Sequence, residues 1–349
     1  MPSIFTEIVT GPSAWLGPDI TNDPSWIHVF SPRELAELDS ALAGVKARGG
    51  LALADIRRAD FVLPSLGPRL LEQLQEISHG RGFVVFRGLP VERYADQDVE
   101  IILWGLGTHL GLGVTQNPMG DLMGHVFDHG RNYGDIDVRG YETRAHLPFH
   151  TDGGDIVALL CLRRAKSGGL SSIVSSISLH NEILRRHPEY LPPLYRGFRY
   201  IKREAALGDD PVSANPIPVF GCAGGLISCR LIRNQINAAY EKMGTPLGTL
   251  EKDALDFLDS LAQSPKFHLN MDLQLGDIQV CNNYTIMHSR TEFEDWPDPG
   301  RGRHMLRLWL SARDRRPLAP EFPQHNGYGG IAEIAFLTKP DETRVASRE

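Results

Sequence analysis

Apolar residues follow two rhythms along this chain, and the change comes near residue 110. Before it, they recur every three or four residues. Leu35, Leu38, Leu42 and Val45 follow Ser31-Pro32-Arg33-Glu34. There Ser suits the N-cap, Pro the first helical position and Glu the return bond of a capping box, so a helix starts at 31. The same spacing predicts helices over 68–78 and 96–109, with a buried strand between glycines over 82–88. Residues 1–30 carry no period and read as an irregular arm.

After residue 110, short apolar runs alternate with Gly, Asp and Asn turns. Strands are predicted over 156–162, 172–176, 218–220, 226–229, 278–282 and 305–311. Helices interrupt them over 178–186 and 250–261, the second capped by Thr249. Many short strands with such turns predict a barrel or jelly roll, here an α+β fold with helices packed around an antiparallel double sheet. The expected organisation is one elaborated domain, 1–349: a helical part over 1–110, a jelly-roll core over 111–320 and a tail over 321–349.

Charge narrows the possible partners. The net charge of −7 gives no basic face for nucleic acid or acidic lipid. The short cluster Arg313–Arg316 reads as a solvated edge. Four cysteines without a Cys-x-x-Cys pair argue against a disulfide framework or structural zinc. The first fifteen residues lack a basic segment followed by an apolar one, and no apolar run approaches the ~20 residues needed to span a bilayer. A cytoplasmic protein, with a homo-oligomer left open, is the expectation.

Thirteen histidines weaken any argument from one of them. A carboxylate two residues away narrows the field to His150/Asp152, His180/Glu182 and His187/Glu189. On a strand, residues i and i+2 share a face and can share an ion; on a helix their side chains diverge. His180 and Glu182 lie in a helical segment, and His187 precedes Pro188 where that helix ends. Only His150 and Asp152, at a strand-to-turn junction, can converge. Two His and one carboxylate on one octahedral face leave room for a chelating cosubstrate and O2, which suits non-haem Fe(II). His288, ending the strand-like stretch 276–288, is the candidate third ligand. His268 and His304 compete, but His304 shares its face with Leu306, Leu308 and Leu310 and should point into apolar packing.

The opposite face of that strand carries Arg303, Met305, Arg307 and Trp309. Two arginines inside a barrel need anionic partners: neighbouring Asp or Glu, or ligand carboxylates that a guanidinium fork fits.

These motifs together resemble the taurine dioxygenase-like (TauD/TfdA) family, within the clavaminate synthase-like 2-oxoglutarate oxygenases. The resemblance rests on Phe149-His150-Thr151-Asp152, Gly168-Gly169-Leu170-Ser171-Ser172, Asn283 five residues before His288, and the strand from Arg303 to Trp309. It runs from about residue 82 to 320. It implies a double-stranded β-helix with Fe(II) at one mouth, 2-oxoglutarate and O2 as cosubstrates, and succinate and CO2 as coproducts. It also implies that Arg303 binds the far carboxylate of 2-oxoglutarate, helped by Ser171 or Ser172. Arg307, about 13 Å further along the strand, would then face the substrate, the metal-bound end of the cosubstrate or an acidic side chain such as Asp152. Asn283 would support the site or contact substrate.

Gln116, Asn117, His125, Tyr141, Arg144 and His146 precede the first metal motif and are pocket candidates. Segment 209–218 reads as a lid or an inert loop. A small, carboxylate-bearing metabolite or natural-product precursor is the expected substrate, to be hydroxylated, desaturated or cyclised. The competing readings are a cupin-like isomerase or hydrolase, and a non-catalytic double-sheet binding protein.

Overall fold

The computed structural model describes residues 3–117, 119–131, 142–201, 210–314 and 316–322. Two sheets face each other. The larger runs in the order Ile27–Val29, Phe83–Arg87, Ile278–Asn282, Ile156–Arg163, His304–Ala312 and Gly111–Gly113, with Met123–Val126 also paired to His304–Ala312. The smaller runs His268–Met271, Ser171–Ser175, Ile286–Arg290 and Leu147–His150. Pairing in both is antiparallel apart from Ile27–Val29 beside Phe83–Arg87. This is the expected double sheet with flanking helices.

Side-chain alternation divides the interior into three layers. Between the sheets lie Val157, Cys161, Met305 and Trp309 from one and Ile173 and Met271 from the other. The outward face of the large sheet, with Leu306, Leu308 and Leu310, packs on helices Pro32–Ala47, Leu66–His79 and Asp96–Leu110. The outward face of the small sheet, with Val174 and Met287, packs on Ser176–Arg186, Arg233–Met243 and Thr249–Gln263. The metal-motif strands are thereby clamped from both sides.

Several local expectations change. Ser31 does form the capping box with Glu34. The helix at Thr249–Gln263, however, is capped at Gly248, whose N–H donates to the Glu251 carboxylate, and not at Thr249. The strand expected over 218–220 is Phe220–Ala223, paired to Leu226–Cys229 as a hairpin. The arm is not irregular throughout: Ile27–Val29 extends the large sheet, and Trp15 is buried between the sheets, its Nε1 donating to the Arg81 carbonyl. The stretch 276–288 is two strands. The Asn282 side chain accepts from Tyr284 N–H at 3.0 Å, and the chain turns there from the large sheet to the small one. Arg316 is no solvated edge, because Nη2 and Nε donate to Ile227 O and Ser228 Oγ. Of segment 209–218, Asp209 lies outside the described residues; the rest bridges back through Val212 to Ile201 and Ile217 to Phe198. Tyr141 and positions 323–349 of the tail also lie outside them. No described helix is long and apolar enough to cross a membrane.

Gly276 sets the entry of strand Ile278–Asn282. It has φ +77, and a Cβ there would lie 1.8 Å from the Leu89 carbonyl oxygen. Next to it, Asp277 is fully buried and pairs with Arg87 at 2.7 Å, fixing the register of the two strands. Gly276→Ala should therefore combine left-handed strain, about 1–2 kcal/mol, with a backbone clash of similar size. Gly244→Ala, at a helix C-terminus with φ +64 and open space around it, should show the strain alone. Urea unfolding of both variants tests this: the Gly276 variant should be the less stable.

Candidate metal centre

The centre is built where two small-sheet strands end at the same mouth. His150 closes Leu147–His150, and His288 lies directly opposite it on Ile286–Arg290. Their rings are 4.3 Å apart. The chain then turns, and Asp152 swings back beside both. Its carboxylate is 3.6 Å from His288 Nε2 and 4.0 Å from His150 Nε2. One ligand atom from each of the three falls within 4.8 Å of the others.

The turn is stitched on every side. Thr151 N–H donates to Leu231 O, and Leu231 N–H donates to Thr151 Oγ1. Asn283 accepts from Asp152 N–H at 2.8 Å and donates to Asp152 O and Gly154 O. Asp155 accepts from Tyr284 Oη, Ser311 Oγ and Ala312 N–H. Gly154 lets the turn approach Trp309, whose Cβ would be 3.0 Å from an added Cβ.

Charge is balanced around Asp152. Burial alone would raise its pKa; Arg307 and the two histidines outweigh burial and hold it below the usual carboxylate range. Arg307 Nη1 lies 3.3 Å from Oδ1, and Trp309 Nε1 donates to Oδ2 at 3.0 Å. Asp152 is thus the acidic side chain expected beside Arg307. Gln116 Oε1 accepts from Arg307 Nε, while Gln116 Nε2 donates to Arg307 O and Leu122 O. Gln116 and Asn283 thus spend these amide bonds on the centre's framework, the supporting place expected of Asn283.

The donor set fits a divalent metal. His150 Nδ1 lies 2.8 Å from Pro148 O, which places the ring proton there and the lone pair on Nε2. Burial, then the neighbouring His288, push the His150 pKa down to about 4, so its imidazole is neutral and ready to ligate. The rejected histidines are occupied elsewhere. His180 is buried against Tyr195 Oη, His187 pairs with Glu189, and His268 faces Ala262 O. His304 does point away from the centre, but into a polar cluster with His125 and Arg163 and not into apolar packing.

Arg303 is a buried cation with no ion pair among the described residues. Its Nη1 has no hydrogen-bond partner, its guanidinium lies 5.3 Å from the Phe293 ring, and burial pushes its pKa down. Such a group is costly unless an anion joins it. Ser171 and Ser172 separate by face. Ser171 opposes Arg290 and is two residues from Ile173, which opposes His288, so Ser171 points between the sheets. Ser172 points outward and donates to Asn270. Beyond Phe293 opens a cavity of about 700 Å³, its rim including Arg131, Arg144 and Glu292. Arg144 is exposed there and pairs with Asp128 at 2.7 Å. Of the other pocket candidates, Asn117 bonds Asp121, and His146 is exposed.

The sequence placed one further group at this mouth without a role and missed another. Trp309 shared a face with Arg307, so a signal for it existed. Arg290 had none: its Nη1 donates to Thr143 O and its guanidinium lies 4.7 Å from the Phe293 ring, which pins the segment bordering the cavity.

Comparison with known proteins gives a consistent picture. The family model described as taurine catabolism dioxygenase TauD, TfdA family matches residues 48–309. FR-33289 synthase of Streptomyces rubellomurinus is 32% identical over 330 residues, covering 93% of this chain and 96% of that protein. Uridine-5′-phosphate dioxygenase of an Amycolatopsis species is 27% identical over 223 residues, covering 60% and 79%. In fold, asparagine oxygenase solved with Fe(II), 2S,3S-3-hydroxyasparagine and succinate superposes with a TM-score of 0.64 at 16% identity, over 82% of this chain and 94% of that one.

Because Arg307 is the main cation compensating buried Asp152, its loss should be felt most without metal. Arg307→Leu should destabilise the metal-free protein by about 3–5 kcal/mol, and added Mn(II) should recover more melting temperature in this variant than in the wild type. Equal Mn(II) shifts in the two proteins would contradict the compensation.

Proposed function

Because the chain belongs to the taurine catabolism dioxygenase TauD, TfdA family, whose enzymes use iron(II) and 2-oxoglutarate, we propose that His150, Asp152 and His288 hold the iron. We further propose that Arg303 and Ser171 hold the far carboxylate of 2-oxoglutarate, and that the substrate is a small anion-bearing metabolite oxidised at a C–H bond. The chain is a dioxygenase, and the isomerase, hydrolase and binding-protein readings fall away. The observation that carries the site assignment is the pairing of a three-donor cluster with a buried, unmatched guanidinium at one mouth.

Bound iron supplies the oxidising chemistry, coupling O2 reduction to conversion of 2-oxoglutarate into succinate and CO2. The chain's own residues do the placing. His150 and His288 present ring nitrogens from opposed strands. Asp152, kept anionic by Arg307 and Trp309, completes a one-sided ligand set and leaves the other face open. Arg303 fixes one end of the cosubstrate by charge, so its 2-oxo acid end must lie toward the ligands. The cavity beyond Phe293 offers volume for a small molecule. The names of uridine-5′-phosphate dioxygenase and asparagine oxygenase support an anion-bearing substrate. The 3-hydroxyasparagine in the latter favours hydroxylation over desaturation or cyclisation.

Anaerobic protein given Fe(II) and 2-oxoglutarate should develop the weak visible charge-transfer band of the chelate. Alanine at His150, Asp152 or His288 should abolish it, while His180→Ala and His304→Ala should keep it. A band surviving loss of His288 would move the third ligand elsewhere. Arg303→Leu should weaken 2-oxoglutarate binding at least ten-fold, the scale of a charge-assisted bond; unchanged affinity would remove Arg303 from the cosubstrate site. In a substrate screen read by succinate release, the best compounds should carry a carboxylate or phosphate. A neutral apolar compound at the top would refute the anion reading.

A further inference from the structure

Gln279 is an amide in an apolar place. It lies on Ile278–Asn282 with its side chain between the sheets, opposed by Val85 on one side and Leu159 on the other, and is 1% exposed. Burying an amide there costs about 1–3 kcal/mol unless its atoms are bonded. Gln279 Oε1 accepts from Ser171 Oγ at 2.5 Å. Its Nε2 faces only Cys281 Sγ, at 3.4 Å. Sulfur is a weak acceptor, and burial pushes the Cys281 thiol up to about 12, so it remains S–H. The amide N–H is thus met by a weak acceptor, and the thiol proton has no better use than to turn away.

The Ser171 hydroxyl has one proton. While it donates to Gln279 it cannot also donate to a carboxylate. Yet Ser171 borders the same compartment as the unmatched Arg303: Arg303 Nε comes within 3.1 Å of where a Cβ would sit on Gly169, two residues before Ser171. An amide turned end for end occupies the same space. Reversed, Nε2–H donates to Ser171 Oγ, Oε1 accepts from Cys281 S–H, and the Ser171 proton is released toward Arg303. Every group then has a matched partner once a carboxylate is present.

We infer that Gln279 is a positioning residue for the cosubstrate, its amide reversing when 2-oxoglutarate binds so that Cys281, Gln279 and Ser171 form a line of donors ending on the far carboxylate. This rests on the proposed roles of Arg303 and Ser171. It adds a residue and a direction of hydrogen bonding that the donor set alone does not contain. Without a carboxylate the line runs the other way, and the Ser171 proton stays on Gln279.

The test is calorimetric titration of 2-oxoglutarate into Mn(II)-loaded wild type, Ser171→Ala, Gln279→Met and the double variant. Each single change should weaken binding about two- to twelve-fold, the range of one hydrogen bond. The double variant should bind no more weakly than Ser171→Ala, because Gln279 acts through Ser171. 2-Oxopentanoate, of equal chain length but lacking the far carboxylate, should bind all four alike. Independent, multiplying losses, or a Gln279→Met loss shared by 2-oxopentanoate, would reduce Gln279 to packing and overturn the inference. If Ser171→Ala itself leaves 2-oxoglutarate affinity unchanged, the assignment of Ser171 fails first. A second measurement needs no Gln279 variant. On adding 2-oxoglutarate to Mn(II)-loaded wild type, one infrared S–H stretch should move to lower frequency as the thiol becomes a donor. Cys281→Ala should remove that change and 2-oxopentanoate should not cause it; an unmoved band refutes the reversal.

Discussion

A negative charge held out of water organises this molecule's working end. Asp152 is buried, and a lone buried carboxylate would take up a proton rather than keep its charge. Arg307 and Trp309 prevent that. Arg307 in turn needs its own fork aimed, which falls to Gln116. Gln116 needs room, supplied by Gly124, where a Cβ would lie 2.5 Å from the Gln116 amide oxygen. Each requirement recruits the next, until a loop near residue 116, the strand His304–Ala312 and the turn after His150 form one rigid block.

The block explains an electrostatic asymmetry. The chain as a whole is acidic, yet the mouth between the sheets gathers Arg290, Arg303 and Arg307, all buried. Arg307 answers Asp152 and Arg290 holds backbone carbonyls. Among the described residues that leaves Arg303 as the cation without an ion pair, in a low-dielectric wall where it acts over a longer range than in water. This is the ground for the proposal that a dianion binds there, although the chain as a whole is acidic.

Alternation made much of this legible in advance. Strand His304–Ala312 sorts its side chains so sharply that the two arginines and Trp309 could be assigned one face, and the i, i+2 rule singled out His150 and Asp152. The unseen parts share a cause: their partners are remote or their composition is misleading. Gln116 and Arg307 are 191 residues apart, and no local pattern links them. Helix Leu191–Arg196 opens with two prolines and reads as a breaker, although Pro is tolerated in a first turn. Helix Arg233–Met243 buries only Ile236 and Ala239, too few for a visible stripe. The split of 276–288 into two sheets hangs on the Asn282 side chain, which a run of strand-forming residues hides.

The order of strands in the large sheet sets a schedule for synthesis. His304–Ala312 lies between strands formed from residues 156–163 and 111–113, so the last described strand to leave the ribosome must enter the middle of a sheet. Asp152 emerges more than 150 residues before its counter-ion Arg307. A nascent chain therefore carries an uncompensated carboxylate and an unfilled slot until almost its whole length is made. Both strand neighbours must wait, and such non-local pairing is slow. The three clustered donors and the cation beside them come together only once this strand has been made.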